Sequence, residues 1–175
     1  MRLYLVRHGQ TNSNAQRRTM DQRMDVPLNE EGLRQAREFL ALLPDDVGVV
    51  YSSPLSRAKQ TADIIATHLG LPIRLAHELA ERDLGLLSGK LIADIEGEFG
   101  KSWEELRSGD FDPVHEVEHR EAIALRVKKF IEETKLKHDS PVLAVTHAGV
   151  IRATYRILDM DAPDVQNVSI HKFDI

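Results

Sequence analysis

Leu3-Tyr4-Leu5-Val6-Arg7-His8-Gly9 is the stretch on which the fold turns: four residues with no polar alternation, then a guanidinium, an imidazole and a glycine. A strand with one wet face alternates with period two, so an unbroken apolar run marks a strand covered on both faces, as in a parallel sheet. The pattern recurs twice. Val47-Gly48-Val49-Val50-Tyr51 follows the turn residues Pro44-Asp45-Asp46, and Val142-Leu143-Ala144-Val145 follows Asp139-Ser140-Pro141. Each of these two runs leads directly into a helical pattern. Ser52-Ser53-Pro54 opens a segment reaching about Leu69 and closed by Gly70 and Pro72, while Thr146-His147-Ala148-Gly149 opens a helix from Val150 to Leu158.

Two longer amphipathic helices complete the pattern. Asn29 is suited to cap a helix with Leu33, Ala36, Leu40 and Leu43 on one face, with Glu30 and Glu31 at its positive end. The second runs from about Arg120 to Leu136, with Ile123, Val127, Phe130 and Ile131 at helical spacing. Strands alternating with helices predict an α/β three-layer sandwich, a mainly parallel central sheet flanked by helices. With no repeat, low-complexity tract or linker, residues 1–175 read as one domain. Residues 85–118 are the least regular part and read as a short lid insertion, in which Ser102-Trp103-Glu104-Glu105 is a capping box for one short helix ending near Gly109.

Composition narrows the function. No cysteine among 175 residues excludes disulfides and thiolate zinc sites. A net charge of −5 argues against a general nucleic-acid or anionic-membrane binder, both of which need a broad basic field. Charge interrupts the N-terminal apolar run too early for a signal peptide, and no stretch reaches the roughly 20 apolar residues of a membrane span. A cytoplasmic protein is the expectation.

Ligands of open α/β sheets bind beyond the carboxyl ends of the strands. There the first run ends in Arg7-His8-Gly9, the second leads to Arg57 in the first helical turn, and the third ends in Thr146-His147-Ala148-Gly149. Two arginines and two histidines thus meet at one sheet edge. Like charges brought together are costly unless an anion lies among them. Planar guanidinium forks and helix N-termini suit phosphate oxygens. These residues by themselves point to an anion-binding α/β protein, either an enzyme or a binding module.

Leu5-Val6-Arg7-His8-Gly9-Gln10-Thr11 with Asn14 resembles the opening motif of the histidine phosphatase superfamily, which includes the cofactor-dependent phosphoglycerate mutases. The likeness continues in the family's order. Asp25-Val26-Pro27-Leu28-Asn29-Glu30-Glu31-Gly32, Ser52-Ser53-Pro54-Leu55-Ser56-Arg57-Ala58, Glu81 followed by Gly85 and Gly89, and Val145-Thr146-His147-Ala148-Gly149-Val150-Ile151-Arg152 are similar to successive family motifs. The resemblance implies that His8 is a nucleophile forming phosphohistidine, that Arg7, Arg57 and His147 grip the phosphoryl oxygens, and that Glu81 is the acid/base. It implies that Asn14 contacts phosphate and that Ala148 lies in the binding loop, with Thr11 behind them or capping a helix. A neutral imidazole, the main form near pH 7, needs no separate base, only an acceptor on its other nitrogen; a backbone carbonyl is expected there. Fixed cations stand where other phosphoryl-transfer enzymes place metal ions, so neither metal nor cofactor is expected.

Two departures from the mutase pattern favour hydrolysis of a small phosphorylated metabolite or phosphoprotein. Asp21-Gln22 stands where mutases carry a small hydroxyl residue and glycine, and a carboxylate there is expected to repel that of phosphoglycerate. The stretch from Gly89 to Pro113 is short and lacks the mutase's paired arginines, offering Lys90, Lys101 and Arg107 instead. A mutase remains the alternative, and a non-catalytic phospholigand binder a further one. His115-Glu116-Val117-Glu118-His119 matches the zinc-protease pattern literally, but Pro113 precedes it and the amphipathic helix begins only around Arg120. His68, His77, His138 and His171 are expected at the surface or at helix ends. Trp103 and Phe111 are packing residues or an apolar wall over the leaving group.

Overall fold

The computed structural model describes all residues 1–175. Five strands form one sheet: β1 (Arg2–Arg7), β2 (Val49–Ser52), β3 (Ile73–Leu75), β4 (Val142–Thr146) and β5 (Ile170–Asp174), in the order β3-β2-β4-β1-β5. The three apolar runs are its centre. β1 and β2 both pair parallel with β4, β3 pairs parallel with β2, and β5 runs antiparallel along β1. The helices are α1 (Asn12–Ala15), α2 (Glu30–Glu38), α3 (Ser56–Leu69), α4 (Ile92–Phe99), α5 (Trp103–Ser108), α6 (Arg120–Lys137) and α7 (Ala148–Ile157).

Unbroken apolar strands have a direct consequence: each feeds two cores. Leu3, Leu5, Val142 and Ala144 pack with Ile123, Val127, Phe130 and Ile131 of α6 and with Val150 and Ile151 of α7. On the opposite face Tyr4, Val6, Val50, Leu143 and Val145 pack with Phe39 and with Ala58, Ala62 and Ile65 of α3. Each fully buried Leu, Val or Ile contributes roughly 1.5–3 kcal/mol. A third, small cluster of Leu84, Leu87 and Ile95, with Phe99, Trp103 and Phe111 against it, organises residues 84–117.

Local chemistry starts and stops the elements as read. Asn29 caps α2 by accepting from the Gly32 N–H at 2.8 Å, Gly70 closes α3 in the left-handed conformation, and Ser102 and Glu105 form the expected capping box on α5. A Cβ on Gly32 would lie 2.1 Å from the Gln10 carbonyl oxygen, so this glycine lets α2 press against the loop that follows His8.

Several expectations require correction. α2 ends at Glu38 and continues as a 3-10 turn, burying Phe39 while Leu33, Leu40 and Leu43 are only partly buried. α7 begins at Ala148, two residues earlier than the apolar periodicity suggests. Residues 85–118 hold two helices rather than one; α4 follows Leu91, which supplies no side-chain cap, so the usual start signal is missing. The edge strands β3 and β5 are too short or too alternating to stand out. His171 lies on β5, and the pleat turns it inward with Phe173, so it is buried and hydrogen-bonded to the Tyr155 hydroxyl (3.0 Å) and the Ser169 hydroxyl (2.9 Å) rather than exposed.

Candidate active site

Strand register brings the two histidines together. Arg7 pairs with Thr146 across β1 and β4, so the next residues, His8 and His147, emerge side by side, and the His8 N–H donates to the Thr146 carbonyl at 3.0 Å. Their ring centroids are 5.1 Å apart. Both imidazoles are buried, and burial, reinforced by the Arg57 and Arg7 charges, holds both well below the ordinary histidine pKa. The His8 Nδ1 lies 2.7 Å from the Gly9 carbonyl oxygen. A carbonyl only accepts, so the proton sits on Nδ1 and the Nε2 lone pair is left free, as expected of a histidine nucleophile. His147 Nε2 meets the Ser53 hydroxyl at 2.8 Å, and its Nδ1 is buried without a partner.

These neutral histidines set a pH dependence. Below about 6.5 the unfolded chain protonates each of them while the folded chain does not. The unfolded state then binds more protons, and stability falls as pH drops, by up to about 1.4 kcal/mol per pH unit per histidine. Urea midpoints measured from pH 7.5 to 5.5 are expected to decline below 6.5, above the range in which carboxylates titrate; a flat profile contradicts neutral burial.

Arg57 and Arg7 are fixed by carbonyls, not by carboxylates. Arg57, with no exposed surface, donates to the Met24 carbonyl (2.9 Å) and the Asp21 carbonyl (3.1 Å), and its Nε has no partner. Arg7 donates to the Val165 carbonyl (2.8 Å), its Nε is likewise unpartnered, and burial brings its pKa down to about 10. The segment just before β5 holds this corner: the Val168 N–H donates to the Arg7 carbonyl (3.0 Å) and Asn167 Nδ2 to the His8 carbonyl (2.9 Å). Carbonyl dipoles orient a guanidinium without cancelling its charge, which stays available to an anion.

Glu81 enters from the other side. Its Oε1 accepts from the Arg82 N–H (2.8 Å) and the Gly149 N–H (3.1 Å), near the start of α7. Arg126 secures the backbone beneath it, donating to the carbonyls of Glu78, Ala80 and Glu81 while its Nε pairs with Glu118 at 2.8 Å. A Cβ on Gly149 would lie 2.2 Å from the Glu81 Oε1. Gly149→Ala is therefore expected to displace a movable carboxylate rather than the backbone, lowering kcat/KM about 100-fold with thermal unfolding almost unchanged. Steady-state kinetics alongside a melting curve checks this.

Arg7, His8, Asn14, Arg57, Glu81 and Ala148 line one cavity of about 380 Å³, within the range of small-molecule sites. Two other expected site residues do not line it. Thr11 is fully buried, capping α1 through the Asn14 N–H (3.2 Å), and His147 stands behind His8. The Asn14 Oδ1 accepts from the Thr11 N–H, which leaves the Asn14 amide donors for a ligand. Trp103 is part of the wall, but Phe111 packs edge-on against Phe99 instead.

Asp21 and Gln22 are corrected as well. The Asp21 carboxylate is buried and turned away from the cavity, accepting from the N–H groups of Arg23, Met24 and Leu84 and from the Ser88 hydroxyl at 2.8–3.1 Å. Gln22 is exposed and does not line the cavity either, so the expected repulsion of a substrate carboxylate has no geometric basis. The literal zinc motif is broken: His115 ends a 3-10 turn, Glu116 has φ +55°, and His119 precedes the first turn of α6, so no single helix face presents both histidines.

The residues missed at the sequence level are arginines. The cavity wall holds nine, seven of them beyond the expected Arg7 and Arg57, against two carboxylates, Glu81 and Asp164. Part of this was legible, because Ala148, Arg152 and Arg156 repeat every fourth residue and so share one face of α7.

A mostly parallel α/β sheet with two neutral imidazoles just beyond its central strands, guanidiniums held by carbonyls and a carboxylate on the same cavity as His8 has the architecture of a candidate oxyanion site. The chain belongs to the histidine phosphatase superfamily (branch 1), whose family model matches residues 3–175. It is 33% identical over 181 residues to phosphoglycerate mutase-like protein 4 of Arabidopsis thaliana, covering 98% of this chain and 78% of that one. A putative phosphoserine phosphatase 2 of Hydrogenobacter thermophilus is 32% identical over 161 residues, covering 90% and 78%. The mycobacterial glucosyl-3-phosphoglycerate phosphatase solved with VO3 superposes with a TM-score of 0.87 at 28% identity, covering 98% of this chain and 91% of that one. No helix is long and apolar enough to cross a membrane.

Proposed function

We propose that the protein is a phosphomonoesterase, acting on a small phosphorylated substrate through a phosphohistidine at His8. The carrying observation is the His8 ring, neutral and with Nδ1 committed to the Gly9 carbonyl, so that Nε2 faces a cavity walled by Arg7 and Arg57. In the first step Nε2 forms a bond to phosphorus as the bond to the leaving oxygen breaks, and Glu81, carrying a proton, gives it to the departing alkoxide. In the second, Glu81 takes a proton from water, whose oxygen attacks phosphorus; the P–N bond breaks and His8 is restored. Arg7 and Arg57 offset the charge on the phosphoryl oxygens, the largest contribution in such reactions. His147, packed against His8 with its Nδ1 unpartnered, keeps a second neutral imidazole beside that centre.

Hydrolysis is favoured over mutase chemistry because the short stretch from Gly89 to Pro113 gives the cavity wall only Ile92, Trp103 and Arg107, a small lid to keep water from a phosphohistidine; Arg120, Arg152 and Arg156 complete that part of the wall. The same arginines suit a doubly anionic ligand and keep the mutase as the second reading. A time course with 3-phosphoglycerate and trace 2,3-bisphosphoglycerate separates them: inorganic phosphate is expected to appear faster than the 2-isomer, and the reverse order establishes the mutase.

A further inference from the structure

The cavity above His8 has a second cationic centre. Arg107 of α5, Arg120 at the start of α6, and Arg152 and Arg156 of α7 line its outer wall, and all four also line an adjoining cavity of about 720 Å³ that Arg7, His8 and Arg57 do not reach. The side chains of Arg120 and Arg152 make no hydrogen bond or ion pair, and the Nε atoms of Arg107 and Arg120 are buried without partners. Arg107 meets only Glu104, and Arg156 donates to the Arg120 carbonyl at 3.2 Å. Burial and mutual proximity lower the Arg152 and Arg156 pKa values, with Arg107 acting on the first and Arg120 on the second. Glu104, Glu81 and Asp164 offset part of the charge on Arg107 and Arg152, and Asp110 part of that on Arg156; the excess of cations that remains favours a further anion among them.

We propose that these four arginines form a second anion subsite that receives a carboxylate or phosphate on the leaving group, making the substrates phosphomonoesters whose alcohol portion is itself anionic. This deepens the phosphatase reading and rests on it. The adjoining cavity is also lined by Glu104, Asp159, Asp161 and Asp164, the last of which reaches the first cavity as well, and these carboxylates limit the subsite to one compact anionic group and disfavour an extended polyanion. Guanidinium forks serve carboxylate and phosphate alike, so the test has an arm for each.

The experiment compares kcat/KM within pairs that differ by one anionic group: glycerol 3-phosphate against 3-phosphoglycerate, and fructose 6-phosphate against fructose 1,6-bisphosphate. Wild type is expected to prefer the doubly anionic member of at least one pair by about 10-fold or more, and the pair concerned identifies the anion. Arg152→Gln and Arg156→Gln are expected to shrink that preference to about threefold or less. Equal rates within both pairs, or a preference that survives both substitutions, overturns the subsite. If wild type hydrolyses no phosphomonoester, p-nitrophenyl phosphate included, the phosphatase reading fails, and the subsite is then judged by binding. Trp103, the single tryptophan, lines the cavity and reports it by fluorescence. Tighter binding of 3-phosphoglycerate than of glycerol 3-phosphate, lost in Arg152→Gln, supports the subsite; equal binding overturns it.

Discussion

His8→Ala is expected to lower turnover of p-nitrophenyl phosphate by at least about 10⁴-fold while leaving the far-UV circular dichroism unchanged. The magnitude follows from losing the nucleophile itself: arginines that only bind the phosphoryl group retain the small residual rate of an enzyme stripped of its covalent step. Alanine removes the ring from a buried position between Gly9 and His147, without touching the β1 to β4 ladder that carries the backbone. A second measurement makes the role specific. Wild type quenched in alkali during turnover of ³²P-labelled substrate is expected to carry label on His8, since phosphohistidine survives base. Continued turnover with that residue unlabelled removes the covalent mechanism.

Arg57→Lys is expected to cost about 10³-fold in kcat/KM although the formal charge is kept. The guanidinium spans two carbonyls, Met24 at 2.9 Å and Asp21 at 3.1 Å, and still offers Nε to a ligand; an ammonium on a flexible stem cannot reproduce that fork. Burial compounds the loss. The site already lowers the arginine pKa, and lysine begins from a lower reference value near 10.4, so its charge is easier to lose. Releasing a buried carbonyl costs about 1–3 kcal/mol, so the melting temperature is expected to fall as well. The inhibition constant of inorganic phosphate separates the two effects: it rises with the loss of activity if Arg57 grips phosphate, and stays near the wild-type value if Arg57 only braces the 21–24 loop. A loss of less than about 10-fold in kcat/KM contradicts the proposed role.

The parts of the fold that were legible share one property. The apolar runs at Leu3–Val6, Val47–Tyr51 and Val142–Val145 lack alternation because both faces are covered, and the packing of odd and even positions into separate cores is the physical content of that pattern. α6 was readable from Ile123, Val127, Phe130 and Ile131, all of which are buried. Where reading failed, the local signal was weak or served a different purpose. β3 is three residues long at the sheet edge, α4 has no capping side chain, and His171 is polar in type but inward by the pleat. Asp21 misled in another way. Its place near a binding motif suggested a ligand contact, whereas three backbone N–H groups and a serine hydroxyl claim its oxygens.

Within the candidate site the same division holds. Arg7, His8, Arg57, His147 and Ala148 end strands, follow them or open helices, positions that neighbours in the chain determine, so sequence alone placed them at this end of the sheet, though not His147 on the cavity wall. Side-chain direction beyond those ends was another matter. Arg120, Arg152 and Arg156 meet because α6 and α7 share the large core of Ile123, Val127, Val150 and Ile151, and Arg107 joins them from α5, in the segment that the small core of Leu84, Leu87 and Ile95 organises. Hydrophobic period and turn chemistry act over a few residues and so can be read along the chain; the meeting of charges from distant segments depends on which apolar faces pack together, and that is settled only when the whole chain has folded.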